Sequence, residues 1–164
     1  MSGLRSFLLY LLRILPFIAF CQLAGLIGSF FTAPNIPTWY ASLEKPFFNP
    51  PNWVFAPVWT ALYAMMGVSL FLVWRRRGES EHASKAMAVF MAQLFLNTLW
   101  SIVFFGSKSI LGGLAVIVLL GAFIVWTIRL FNKVSKAAGK LLVPYLLWVV
   151  FATILNLSIF FLNI

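Results

Sequence analysis

Three stretches of this chain space polar and aromatic side chains at helical intervals. Gln93, Asn97, Trp100 and Phe104 follow one another at four, three and four residues, Tyr145, Trp148, Ala152 and Asn156 at three, four and four, and Trp59 and Tyr63 lie four apart. Such intervals stack side chains on one face of a helix. Each face joins flat aromatic surface to amide, hydroxyl or indole tips, which suits a pocket for a small apolar molecule with a few polar edges. Asn97 and the indole nitrogens of Trp59 and Trp148 are the expected orienting groups, and Ala152 leaves room beside Trp148. Taken singly, Gln93, Asn97 and Asn156 read first as interhelical glue, worth on average about 0.6 kcal/mol each. Their coincidence with the aromatics on three faces favours a pocket.

Reactive chemistry has little to work with. There is no Asp, and the acids are Glu44, Glu79 and Glu81. The lone His82 sits beside two of these in a polar turn with Gly78 and Ser80, without a second His or Cys nearby. No carboxylate pair, activated nucleophile or phosphate-cradling glycine loop is present. No catalytic residue, metal ligand or obligatory cofactor is therefore assigned, and an enzyme is less expected than a binding protein. Cys21 lies in an apolar run and reads as a packing residue.

These faces need helices in a bilayer. The 164 residues are 63% hydrophobic and 9% charged, with a mean hydropathy of +1.00, far from a soluble globular composition. Uncharged runs at 14–43, 46–74, 86–107, 109–128 and 141–164 each hold the roughly 20 residues of a spanning helix. Trimmed for Pro, Gly and polar clusters, they predict helices near 12–32, 54–74, 85–105, 110–131 and 141–162. The fold class is an all-α membrane protein, a five transmembrane helix bundle forming a single domain over 1–164. The first segment is too long for a signal core and reads as a retained anchor.

The formal charge of +9 reports topology rather than nucleic-acid binding, since the cations sit at helix ends. Arg5, Arg13, Arg75, Arg76, Arg77, Lys85, Arg129, Lys133, Lys136 and Lys140 fall on one side, and Lys45 and Lys108 on the other. The positive-inside rule then puts the N-terminus in the cytoplasm and the first loop and C-terminus outside. With no charge at membrane depth beyond Arg13 near a helix end, ion-coupled transport has no visible coupling residue.

Six of the eight prolines lie between Pro34 and Pro57. Proline fixes its own φ and pushes the preceding residue out of helical space, so Pro46, Pro50, Pro51 and Pro57 predict a stiff loop. Carrying Trp39, Tyr40 and Trp53, that loop is suited to act as a lid, although each ring alone also fits an interfacial aromatic belt. Glu44 and Lys45 read as its solvated rim.

The segments TWYASLEKPFFNPP, WVFAPVWTALY, AQLFLNTLWS with FFG, and PYLLWVVFATILN resemble, in order and over nearly the whole chain, the TspO/translocator protein family of tryptophan-rich sensory proteins. The resemblance implies a five-helix protein, often a homodimer, that binds porphyrins or heme, cholesterol or other sterols, and synthetic benzodiazepine-type ligands. Matched by motif, it implies a lid at Trp39, Tyr40 and Pro50 and pocket walls at Trp59, Tyr63, Asn97, Trp100, Trp148 and Ala152. Trp53, Gln93, Phe104, Tyr145 and Asn156 are further pocket or lid candidates from the residue pattern. The sterol pattern of animal members is broken, because no basic residue follows Tyr145 within LLWVV; the reversed pattern Lys140, Tyr145, Leu147 is met. A flat tetrapyrrole is therefore expected over cholesterol. Ala88 and Ala92 offer a small-xxx-small surface for a second copy. Sensing, transport of the same ligands, and light- or oxygen-dependent porphyrin breakdown all remain open for such a pocket.

Overall fold

The computed structural model describes the backbone of residues 2–164 and the side chains of residues 9–164. Among the described residues there is no strand, and the α-helices are α1 (Ser2–Thr32), α2 (Phe55–Trp74), α3 (His82–Ser101), α4 (Ile110–Val134), α5 (Lys136–Leu141) and α6 (Val143–Leu162). With their flanking turns they make five stretches long and apolar enough to cross a bilayer: Leu9–Tyr40, Asn52–Trp74, His82–Gly106, Ile110–Val134 and Lys136–Leu162. This is the integral, multi-pass, all-α architecture expected. Arg5, counted among the cations of one side, falls outside the residues whose side chains are described.

The first span departs from its expected bounds at both ends, its helix beginning at Ser2 rather than near 12. Instead of stopping near 32, the rod continues through a 3-10 turn, Ala33–Asn35, and a wide π turn, Ile36–Tyr40. Pro34 and Pro37 cannot donate to a regular helical ladder, which favours such turns. Asn35 and Thr38 donate side-chain hydrogen bonds to the carbonyl oxygens of Phe31 (2.9 Å) and Pro34 (3.0 Å), satisfying groups the irregular backbone leaves open. Trp39 and Tyr40 therefore ride on the end of a helical rod, and the irregular connection shrinks to 43–51.

A second π turn, Ile102–Gly106, ends α3. Widening the turn lets the consecutive Phe104 and Phe105 both turn inward, where both are buried. Ser109 then caps α4 by accepting from the Gly112 amide at 3.1 Å. The last span is interrupted at Leu142, because Pro144 in the first turn of α6 has no N–H to return to the preceding turn.

Around the bundle α1 packs on α2, α2 on α5, the α5–α6 span on α4, α4 on α3, and α3 on α1. Successive spans alternate in direction, so α1, α3 and α6 all run toward the first connection, here called the loop side; the opposite end carries most of the cations. At the basic end packing is close. A Cβ on Gly67 would stand 2.5 Å from Ile18 Cα, so α1 and α2 meet backbone to backbone. Phe90 stacks on Phe131 with ring centroids 5.6 Å apart. The Ser69 hydroxyl donates to the Ala138 carbonyl (2.8 Å), and Arg76 donates to that of Val134 (2.6 Å), tying α2 to the α4–α5 junction.

Candidate functional site

A polar network crosses the bundle interior. The Tyr63 hydroxyl donates to Asn97 Oδ1, Asn97 Nδ2 donates to the Tyr145 hydroxyl at 3.0 Å, and that hydroxyl donates to Gln93 Oε1 at 2.9 Å. Three helices, α2, α3 and α6, are joined by these side chains, all buried. Asn97, expected to meet a ligand with its amide, is thus engaged by two tyrosines, and its carbonyl and one N–H serve the bundle.

The network sets the level of everything around it. Trp100 lies three residues beyond Asn97 and Trp148 three beyond Tyr145, about 4.5 Å toward the loop side on each helix. Trp59 lies four residues before Tyr63 on the oppositely directed α2, about 6 Å toward the same side. Three tryptophans from three helices thereby share one storey above a tyrosine and amide floor. Trp59 faces Tyr63 at 5.6 Å and Tyr145 at 6.2 Å between ring centroids.

Above that floor opens a cavity of about 710 Å³. Of the residues expected at the site, Tyr40, Trp59, Tyr63, Asn97, Trp100, Phe104, Trp148, Ala152 and Asn156 line it. Gln93 and Tyr145 do not; both are wholly buried beneath the floor and act through Asn97. Trp39, Pro50 and Trp53 also stay outside the lining. Trp39 packs edge-on to Phe104 at 5.3 Å, behind the cavity wall, because at that level of the rod its neighbour Tyr40 is the ring that lines the cavity. Trp53, 74% exposed, points away from the bundle and fits the interfacial belt.

The wall that sequence reasoning missed is α1. Gln22, Gly25, Ser29 and Thr32 repeat at three, four and three residues and all line the cavity. Their signal is a stripe of small and polar residues in an otherwise bulky helix, which makes space and offers no conspicuous functional group. Gly25 is required by its neighbour, since a Cβ there would collide with the Tyr63 ring. Gln22 Nε2 donates to the Thr60 carbonyl at 2.8 Å, bridging α1 and α2. Leu23 and Leu26 line the cavity yet remain 55% and 54% exposed, so this wall borders the lipid-facing surface.

The roof is fastened at several points. Tyr40 donates to Asn49 Oδ1 at 2.7 Å. Lys45 Nζ donates to the carbonyls of Leu43 (2.6 Å) and Ala41 (3.2 Å) and lies 5.1 Å from the Tyr40 ring centre. Lys45 is therefore a cap on the first rod as well as part of a rim. The Asn163 amide grips the loop in both directions, accepting from the Glu44 N–H and donating to the Glu44 carbonyl, each at 3.0 Å. Phe48 meets Phe151 at 6.4 Å and Phe55 meets Trp148 at 6.1 Å, closing the roof onto α6. Among the described residues no group of His, Cys, Asp or Glu is arranged to hold a metal ion.

A helical bundle enclosing an aromatic cavity is a fold many sequences reach; the sequence match is more specific. A model of the TspO/MBR family matches residues 17–162. The chain belongs to the TspO/MBR family. It is 48% identical over 139 residues to the Tryptophan-rich protein TspO of Archaeoglobus fulgidus, covering 85% of this chain and 89% of the relative. It is 47% identical over 146 residues to the protein of the same name from Chlorobaculum tepidum, covering 89% and 92%. The Translocator protein of Bos taurus is 37% identical over 136 residues, covering 82% of this chain and 80% of the relative. In this TspO/MBR protein the reversed sterol pattern is not presented to lipid, because its central Tyr145 is wholly buried and hydrogen-bonded to Asn97 and Gln93.

Proposed function

We propose that this TspO/MBR protein is a membrane-embedded ligand-binding sensor or regulator whose loop-side cavity takes a tetrapyrrole such as a porphyrin or heme, or another flat lipophilic molecule of sterol type. The observation that carries this reading is the apolar cavity of about 710 Å³ with Trp59, Trp100 and Trp148 on one storey of its wall. Its size lies within the roughly 300–1,000 Å³ of small-molecule sites, and its aromatic surface suits stacking against a planar ring. The roof of residues 43–51, held by Asn163, supplies the lid. By its charge distribution the N-terminus is cytoplasmic and the cavity opens outward. Titration of protein in nanodiscs with protoporphyrin IX is expected to quench tryptophan fluorescence saturably, and a Trp59→Phe/Trp148→Phe variant is expected to lose most of that response. Quenching that never saturates, or that is the same in the variant, defeats the proposal.

One observation favours transport as a second reading. Leu23 and Leu26 belong both to the cavity wall and to the lipid-facing surface, which gives a lipophilic ligand a short route between bilayer and cavity. Protein-dependent porphyrin flux into sealed liposomes supports it, and flux equal to protein-free liposomes removes it. A homodimer is proposed through the α3 face, where Ala88, Met91 and Phe95 are exposed. Native mass spectrometry of gently extracted protein checks the dimer.

A further inference from the structure

The surface of the basic end carries a cleft of about 280 Å³, lined by Leu72, Arg75, Arg76, Glu79 and Ser135. Beyond the last residue of α2 the chain keeps turning: the Arg75 and Arg76 amides donate to the carbonyls of Phe71 (2.9 Å) and Val73 (3.0 Å), and the Glu79 amide to that of Arg76 (3.0 Å). Leu72, Arg75, Arg76 and Glu79 therefore share one side of that continued turn. Ser135, at the α4–α5 junction, closes the cleft from across the bundle.

Both arginines are held by contacts that leave their charge unmatched. Arg75 donates to the Tyr10 hydroxyl at 3.2 Å and lies 5.0 and 5.8 Å from the ring centres of Tyr10 and Phe71. Arg76 donates to the Val134 carbonyl at 2.6 Å. A guanidinium carries five N–H donors, so each keeps most of its fork. Among the described residues neither arginine makes an ion pair, although Glu79 shares the cleft; the ionic contact at this end joins His82 to Glu81 at 3.8 Å. The buried Ser135 hydroxyl accepts from the Ala138 N–H at 3.4 Å, which leaves its own proton to give.

We infer that this cleft is a site for the phosphate group of an anionic membrane lipid. It lies at the opposite end of the bundle from the loop-side cavity and does not depend on what that cavity binds. Arginine forks meet phosphate oxygens through paired N–H donors, which a lysine cannot do. Position favours a lipid as the source of the phosphate. The half-buried Tyr10 and Trp74 mark the aromatic belt at this end, where headgroups lie, and half-buried Leu72 gives the cleft an apolar side along which an acyl chain can continue. A zwitterionic headgroup brings its own cation toward three consecutive arginines and is disfavoured. Glu79 opposes the phosphate, but one carboxylate is outnumbered by two guanidinium groups.

The test titrates the full chain in neutral detergent with phosphatidylglycerol or phosphatidylcholine and counts bound lipid by native mass spectrometry. Phosphatidylglycerol is expected to bind about tenfold tighter, and Arg75→Gln/Arg76→Gln should cut that preference to less than about threefold. Arg129→Gln/Lys133→Gln removes the same charge from exposed positions outside the cleft and should change the preference less than about twofold. Because Arg76 also ties α2 to Val134, a second variant acts without removing a contact: Glu79→Gln, at an exposed side chain, should tighten phosphatidylglycerol binding about threefold. Glycerophosphoglycerol, the same headgroup without acyl chains, should not displace the lipid. Equal binding of the two lipids, an equal loss in the Arg129/Lys133 variant, or no gain from Glu79→Gln overturns the inference. Glycerophosphoglycerol binding as tightly as the lipid overturns the lipid as the source of the phosphate.

Discussion

The basic half and the loop-side half of this bundle are built from the same helices with similar apolar residues, yet they are packed in opposite ways. In the basic half, Gly67 brings α2 against the backbone of α1, Phe90 stacks on Phe131, and Ser69 and Arg76 tie α2 to the α4–α5 junction. In the loop-side half, Gly25, Ser29 and Ala152 leave a void, two π turns crowd aromatics around its rim, and two indole N–H groups meet no partner among the described residues. The Tyr63, Asn97, Tyr145 and Gln93 network is the boundary between them. Small residues therefore have two uses in one chain. At Gly67 the missing side chain lets helices touch; at Ala152 it leaves space for something else.

That contrast can be broken most violently at Gly67. Gly67→Leu should cost about 3 kcal/mol or more, since a side chain there meets backbone that cannot yield. Melting of the purified protein in detergent reads this, and an unchanged Tm contradicts the tight half. Ala152→Phe should act on the other half alone, lowering porphyrin affinity about a hundredfold while Tm holds or rises, because the added ring fills an existing void. A fall in Tm as large as that of Gly67→Leu would show that the void is closely packed after all. At the boundary, Asn97→Leu strands the Tyr63 hydroxyl and removes one of the two bonds of Tyr145, which keeps Gln93, and should cost about 1–2 kcal/mol of stability, with affinity changed less than about threefold. A large loss of affinity with stability intact would return Asn97 to direct ligand contact.

Smaller effects refine the picture. Asn163→Ala frees the loop at Glu44 and should speed ligand dissociation about threefold to tenfold in stopped-flow measurements while leaving the folded bundle intact. An unchanged off-rate would mean that the roof is held by its aromatic contacts alone. Gly121→Ala, where a Cβ meets nothing within 4 Å, should leave Tm unchanged or raise stability by up to about 1 kcal/mol through helix propensity. Its contrast with Gly67 separates a glycine needed for close approach from one that is not.

Much of the site was legible because helical spacing in a spanning segment is a geometric rule. Trp59 with Tyr63, Asn97 with Trp100 and Phe104, and Trp148 with Ala152 and Asn156 fall on faces that the structure turns to a common cavity. The α1 wall was not legible, since Gln22, Gly25 and Ser29 contribute mostly by what they lack. Trp39 and Trp53 carried the right residue types for a lid, but the helical continuation through Pro34 and Pro37 took one behind the wall, and the other faces outward.

By itself the sequence determined the membrane setting, the number of spans and the family, because hydropathy, charge placement and motif order depend on the chain alone. It also determined which faces carry hydrogen-bonding tips. Only the tertiary structure decided which of those tips are engaged. Asn97 looked available until Tyr63 and Tyr145 were brought to it from other helices, while among the described residues Trp100 Nε1, Trp148 Nε1 and the Asn156 amide meet no partner. Hydrogen-bond saturation depends on distances between helices, and residue spacing within one helix holds no information about the neighbour that will face it.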